Sequence, residues 1–197
     1  MPELRYYEDM AILEVLTNHF LIAMPGLEDG LFSRTVTYIC EHSPDGALGI
    51  VINRALDEVR LVEVLESMSI QNHDPWLDSQ SVFWGGPVDL GKGFVLHSPP
   101  GQWPATVGVG EQIGLTTSRD VLQAMAEGRG PRQSMVAFGY AGWAAGQLEH
   151  EISENWWLHG PADPRVLFEV PNEERWAAAA RLLGVDLMSL SGNVGHA

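Results

Sequence analysis

The residues best equipped for chemistry are a few glycine turns, two arginines, one histidine and a tryptophan-led helical face. Phe138-Gly139-Tyr140-Ala141-Gly142-Trp143 reads as strand, glycines and helix start, an arrangement that leaves backbone N–H groups facing an anion. Gly85-Gly86-Pro87 at a strand end allows a ligand close to the backbone, or simply a sharp bend. Arg34 begins one strand of an expected hairpin, and Asn53 and Arg54 end the other. Side by side, the two guanidinium groups would hold a carboxylate or phosphate. His97 closes the segment FVLH and is the histidine to watch as a general base at that same end of the sheet. Trp143, Gln147 and Glu151 recur every fourth residue and would share one helical face.

The same residues also have a plain structural reading, and residue type favours it. Neither glycine turn is a GxxxxGK[ST] or GxGxxG loop, and no lysine follows. Glycine permits a tight strand-to-helix turn while Trp143 packs. Arginines at strand ends usually pair structurally, a core histidine is usually satisfied internally, and Gln147 and Glu151 could anchor the GGP loop. Ser33, Ser98 and Ser118 lack a GxSxG elbow, and Ser118 has a sufficient duty as a helix cap. Glu149, His150 and Glu151 diverge around a helix and so do not make a metal site; Glu149 and His150 read as a solvated acidic face. No metal and no cofactor is expected, and no reaction stands out.

The elements that must position these groups mix strands and helices without strict alternation. Phe20–Met24, Arg34–Glu41 and Ala47–Ile52 read as strands, the last two joined through His42-Ser43-Pro44-Asp45-Gly46, with Arg34–Glu41 burying one face. Leu61–Met68 places Leu61, Val64, Leu65 and Met68 on one helical face. A polar loop pinned by Trp76 leads to a strand at Val82–Trp84, and Phe94–His97 returns beside it as a second hairpin. Residues 98–112 read as loop with at most a short edge strand. Ile113–Thr116 reads as a strand, and a helix capped by Thr117 or Ser118 runs through Glu127. Ser134–Gly139 is expected as strand, Tyr140–Ile152 as a glycine-opened helix, and Asn155–His159 as strand. A short strand lies within Asp163–Val170, and Asn172 caps a helix over Glu173–Leu183. Residues 1–10 read as a loose arm, Ala11–Leu16 as helix or strand, and the last residues as a fraying tail. The fold class is α+β: a mixed, mostly antiparallel sheet core built from hairpins, sandwich-like or a partly open barrel, with flanking helices.

The 197 residues suit one domain, with an ordered core over about 10–185. Eleven basic against 26 acidic residues give a net charge of −15. Such a chain is repelled by a phosphate backbone, so direct nucleic-acid binding is disfavoured. The lone Cys40 falls on the apolar side of a strand as a buried, inert thiol and fits a reducing cytoplasm. The acidic N-terminus and the lack of a long apolar run give no export signal and no membrane span.

Five ordered pieces carry a resemblance: FLIAMPGLEDGLFSRTVTYICEH, GALGIVINR, GGPV, FVLHS, and GYAGWAAGQLEHEI with NWWL. Together they resemble the bacterial AlgH/YqgE family over roughly residues 10–185. The resemblance implies a compact cytoplasmic α+β domain without established catalytic residues or cofactor, and a regulatory role in transcription exercised indirectly. The expected function is binding or regulation through a protein partner or a small anionic ligand. The alternative is a hydrolase or transferase acting on a small anionic metabolite in a groove lined by the glycine turns.

Overall fold

Apolar, β-branched runs build an antiparallel meander of β1 (His19–Ala23), β2 (Val36–Ser43) and β3 (Gly46–Val51), the last two separated only by Pro44 and Asp45. Proline and Asp-Gly chemistry suits so tight a reversal. The computed structural model describes residues 16–27 and 30–191. The expected N-terminal arm and the Ala11–Val15 part of the ambiguous segment lie outside the described residues; Leu16 is buried.

The chain forms two compact units. One comprises residues up to Asn53 and from Ala141 onward, the other Arg54–Tyr140. In the first, β10 (Trp157–Pro161) pairs with β1, and β3 pairs with Ala141–Ala144 of the long strand β9 (Gln133–Ala144), all antiparallel. Contrary to the one-faced expectation, β2 is buried on both sides from Val36 to Cys40. Leu21, Ile39, Trp143, Leu148 and Trp157 form one core. Phe20 and Tyr38 meet edge to face at 6.1 Å, and Leu183, just past the helix α5 (Arg175–Leu182), packs on Gly160 opposite Phe20. The β2–β3 register shifts between Ile39 and Glu41, so Cys40 sits at a bulge. Its buried thiol donates weakly to the Tyr38 carbonyl at 3.6 Å, and burial pushes its pKa up, as an inert structural cysteine requires.

The second unit is ordered β4-β5-β9-β6-β8-β7, made from β4 (Ala55–Arg60), β5 (Ser81–Trp84), β6 (Val88–Ser98), β7 (Thr106–Val109), β8 (Ile113–Thr116) and the first eight residues of β9 (Gln133–Ala144). Only the β5–β9 ladder is parallel. Helices α1 (Leu61–Ser67) and α2 (Arg119–Ala126) bury Leu61, Leu65, Val121, Leu122 and Met125 against Val82, Val95 and Val136. The architecture is therefore α+β with a mostly antiparallel sheet. Among the described residues, no helix is long and apolar enough to cross a membrane.

Several expectations fail for identifiable reasons. β5 and β6 do not form a hairpin, because β9 pairs with both and lies between them. β9 continues to Ala144, where a helix was expected from Tyr140; the helix α3 spans Gln147–Ser153 after Gly146 adopts a left-handed conformation. Val88 already belongs to β6. Residues 163–170 form no strand but the helix α4 (Pro164–Phe168), with the Asp163 carboxylate accepting from the Arg165 N–H at 2.8 Å and Pro164 in the first turn, a start signal legible in Asp-Pro. Asn172 opens a 3-10 turn over residues 172–174 and does not cap α5. Trp76 is 53% exposed, and Leu77, 1% exposed, pins that loop instead. The expected tail contains a further helix, α6 (Leu187–Ser191).

Candidate functional site

The predicted site residues divide between the units. Arg34, Asn53, Gly142, Trp143, Gln147 and Glu151 belong to the first, and Arg54, Gly85, Gly86, Pro87, His97 and Gly139 to the second.

In the first unit the polar groups are committed to the fold. Glu151 Oε2 accepts the indole N–H of Trp143 and of Trp157, each at 2.8 Å, and its Oε1 accepts from the Gln147 amide at 2.8 Å. Gln147 Oε1 in turn accepts from the Ala144 N–H at 3.0 Å. Trp143 and Gln147 thus both bond to Glu151, but Trp143 arrives from a strand, so the expected single helical face of the three does not form. Asn53 closes the start of β2: its Oδ1 accepts from Val36 N–H at 2.7 Å and its amide donates to the Arg34 carbonyl at 2.8 Å. Arg34 stacks over the Trp176 ring at 5.5 Å. Gly142 is an exposed ladder residue opposite Leu48. Glu149 does not stand in a solvated face; its Oε1 pairs with the buried His42 Nε2 at 2.8 Å.

In the second unit the glycines serve close backbone packing. Gly139 has φ +74°, and a Cβ there would lie 2.3 Å from the Gly86 carbonyl oxygen; one on Gly85 would lie 2.3 Å from that of Gly139. The space is filled by the chain itself. Arg54 stacks over Trp84 at 5.5 Å, and Pro87 leads directly into β6.

His97 is fully buried. Its Nδ1–H donates to the Pro99 carbonyl at 2.9 Å, so Nε2 is the acceptor and takes the Thr116 hydroxyl at 2.7 Å. Thr116 Oγ1 receives Thr106 Oγ1 at 2.5 Å. Both ring nitrogens are used, Trp103 packs edge-on at 5.1 Å, and desolvation lowers the pKa below 6.5, the Pro99 hydrogen bond opposing it. In the β6–β9 ladder His97 pairs with Ser134 and Val88 with Tyr140. His97 therefore sits at the opposite end of that ladder from the Gly85–Pro87 turn, not at the same end.

Open space in this unit lies elsewhere, in part as a hollow of about 370 Å³ whose lining includes Glu66, His73 and Asp78. A cavity of about 300 Å³ is walled by α1 (Val64, Met68) and the start of α2 (Ser118, Arg119, Leu122), and floored by strand residues including Val136 and Phe138. None of the twelve predicted residues lines it. Its one charged lining group is Arg119, whose Nη2 donates to the Met68 carbonyl at 2.8 Å. The hydroxyl of Ser118, at the N-cap position of α2, makes no capping bond and is buried without a partner among the described residues. The lining holds no carboxylate, histidine or thiol; its polar groups are the hydroxyls of Ser67, Thr116, Thr117 and Ser118 and the Arg119 guanidinium, with the Thr116 hydroxyl bonded to His97 Nε2 at 2.7 Å. No cluster of three or more His, Cys, Asp or Glu side chains suited to a metal occurs among the described residues. The only sequence signal for the cavity was the serine at a helix start beside an arginine. The glycines opposite, Gly91 and Gly93, gave no hint of facing it.

The family model described as AlgH-like matches residues 20–188. A UPF0301 protein of Nitrosospira multiformis is 54% identical over 182 residues, covering 92% of this chain and 97% of the relative. A UPF0301 protein of Thioalkalivibrio sulfidiphilus is 56% identical over 181 residues, covering 92% and 96%. The solution structure of the AlgH protein from Pseudomonas aeruginosa superposes with a TM-score of 0.75 at 48% identity, over 93% of this chain and 96% of that one. A crystal structure of a Corynebacterium diphtheriae protein has the same fold, with a TM-score of 0.71 at 21% identity over 92% and 96%.

Proposed function

The chain belongs to the AlgH-like family, and on that premise we propose that it is a non-catalytic binding protein. It holds a small ligand in the cavity between α1, α2 and the sheet, and exerts any regulatory effect through a partner. The observation that carries this reading is the contrast between polar groups and open space. His97 and Glu151, the predicted side chains best able to exchange a proton, have their polar atoms engaged by internal hydrogen bonds. The cavity is lined by apolar groups, hydroxyls and one guanidinium, a composition suited to binding. A net charge of −15 argues against direct contact with a nucleic-acid backbone.

The test is a thermal-shift screen of the wild-type chain and of Gly93→Val against neutral and anionic small metabolites, nucleotides included. Gly93 lies on the cavity floor, where a Cβ would stand 3.4 Å from the Phe138 ring, an ordinary contact. A side chain there fills the cavity without backbone strain. A ligand at a hundred times its dissociation constant stabilises by about 2.7 kcal/mol. Compounds that stabilise the wild type and not Gly93→Val support the reading. An identical screen for both chains rejects it.

A further inference from the structure

The lining of the cavity combines an apolar cluster with the polar residues at the start of α2, and that combination specifies the ligand class. Val64, Val95, Leu122 and Val136, with Met68 and Phe138 packed against them, form one apolar cluster that lines it. Thr117, Ser118 and Arg119, consecutive where the chain turns into α2, add polar groups to the lining. Arg119 Nη2 donates to the Met68 carbonyl, a bond that leaves Nε and Nη1 of the guanidinium to donate. Ser118 adds a buried hydroxyl with no partner among the described residues. A buried hydroxyl without a partner is costly, and a ligand oxygen at that place would relieve it.

We infer that the cavity takes a small amphipathic carboxylate, its hydrocarbon body against Val136 and Phe138 and its carboxylate on Arg119 and the Ser118 hydroxyl. This rests on the binding reading above and adds the ligand class. The charge balance selects a monoanion. Arg119 is the one cation in the lining, Asp120 follows it directly, and the surrounding chain carries −15, so a dianionic phosphate would meet more repulsion than attraction. The size selects a short ligand. A volume of about 300 Å³ corresponds to about ten groups the size of a water molecule, which octanoate matches.

The experiment follows backbone amide shifts of the full-length ¹⁵N-labelled chain during titration with sodium octanoate, with octanol as the same body without charge and acetate as the charge without body. Octanoate is expected to shift Gly91, Gly93, Val95 and Leu122. Octanol should bind about tenfold more weakly, the scale of a lost charge-assisted hydrogen bond, and acetate should leave these signals unmoved. Arg119→Gln, a change at an exposed side chain, should weaken octanoate by a similar factor and leave octanol unchanged, while Gly93→Val should abolish both. Equal binding of octanoate and octanol, or of octanoate to Arg119→Gln and wild type, overturns the carboxylate assignment. So does an absence of shifts with octanoate. The binding reading falls separately, on the metabolite screen, and should Gly93→Val fail to fold, Arg119→Gln still decides the assignment.

Discussion

One oxygen of Glu151 accepts the indole N–H groups of both Trp143 and Trp157, at 2.8 Å each. A residue of α3 thereby ties together β9 and β10, whose two rings meet edge to face at 6.2 Å. Both tryptophans are buried, so their N–H groups depend on this carboxylate. Glu151→Ala should cost about 2–4 kcal/mol, the scale of two buried donors left unpaired, read as a shift in urea midpoint. In Glu151→Gln the indole N–H resonances of Trp143 and Trp157 should move together, while those of the other tryptophans stay in place.

His97 gives the fold a pH dependence with a definite sign. Burial holds its pKa below 6.5, so the folded state prefers the neutral ring. As pH falls, the unfolded chain takes up the proton first, and stability declines. The contribution is complete above about 6.5 and is lost as pH falls through the lower folded value. The wild type should lose more stability than His97→Gln between about pH 7 and about pH 5, measured as melting temperature against pH. Parallel curves for the two chains would refute it.

Two glycines of the same unit should respond in opposite ways to alanine. Gly139 has a left-handed backbone and a carbonyl oxygen 2.3 Å from where a Cβ would stand, so Gly139→Ala should cost about 3 kcal/mol or more. Gly91 has open space and no such backbone constraint, and Gly91→Ala should stay within about 0.5 kcal/mol. Denaturant midpoints of the pair distinguish a strand position pressed against another backbone from one facing open space.

Arg175 is buried, donates to the Val170 carbonyl at 3.0 Å and to the Ile52 carbonyl, and has its pKa lowered to about 10 by desolvation. Arg175→Ala should cost about 3 kcal/mol by leaving buried carbonyls unpaired. Arg175→Lys should recover little of this, because an ammonium lacks the planar fork that spans two acceptors. Urea unfolding of both variants provides the comparison.

Local chemistry was legible where neighbours in sequence are neighbours in space. Proline and Asp-Gly marked the β2–β3 turn, the spacing of Leu61, Val64 and Leu65 marked α1, and Gln147 with Glu151 was found as a helical pair. Gly139 and Gly142 misled, since glycine permits a turn but also permits a strand to press against another backbone; only the Gly86 carbonyl opposite distinguishes the two. Asp163-Pro164 is itself a local helix-start signal, with the Asp163 carboxylate accepting from the Arg165 N–H and Pro164 in the first turn.

Composition, charge and short-range pattern in the chain alone determined the α+β class, the mostly antiparallel pairing, the burial of Cys40 and the acidic balance. These depend on side-chain type and on periods of a few residues. Tertiary structure alone decided that β9 separates β5 from β6, that Trp157 shares the carboxylate of Glu151, and that the cavity lies under Arg119. Those features join residues as far apart as Val64 and Phe138, and the choice among strand partners at such distances is settled by cooperative burial of whole faces, which no local pattern encodes.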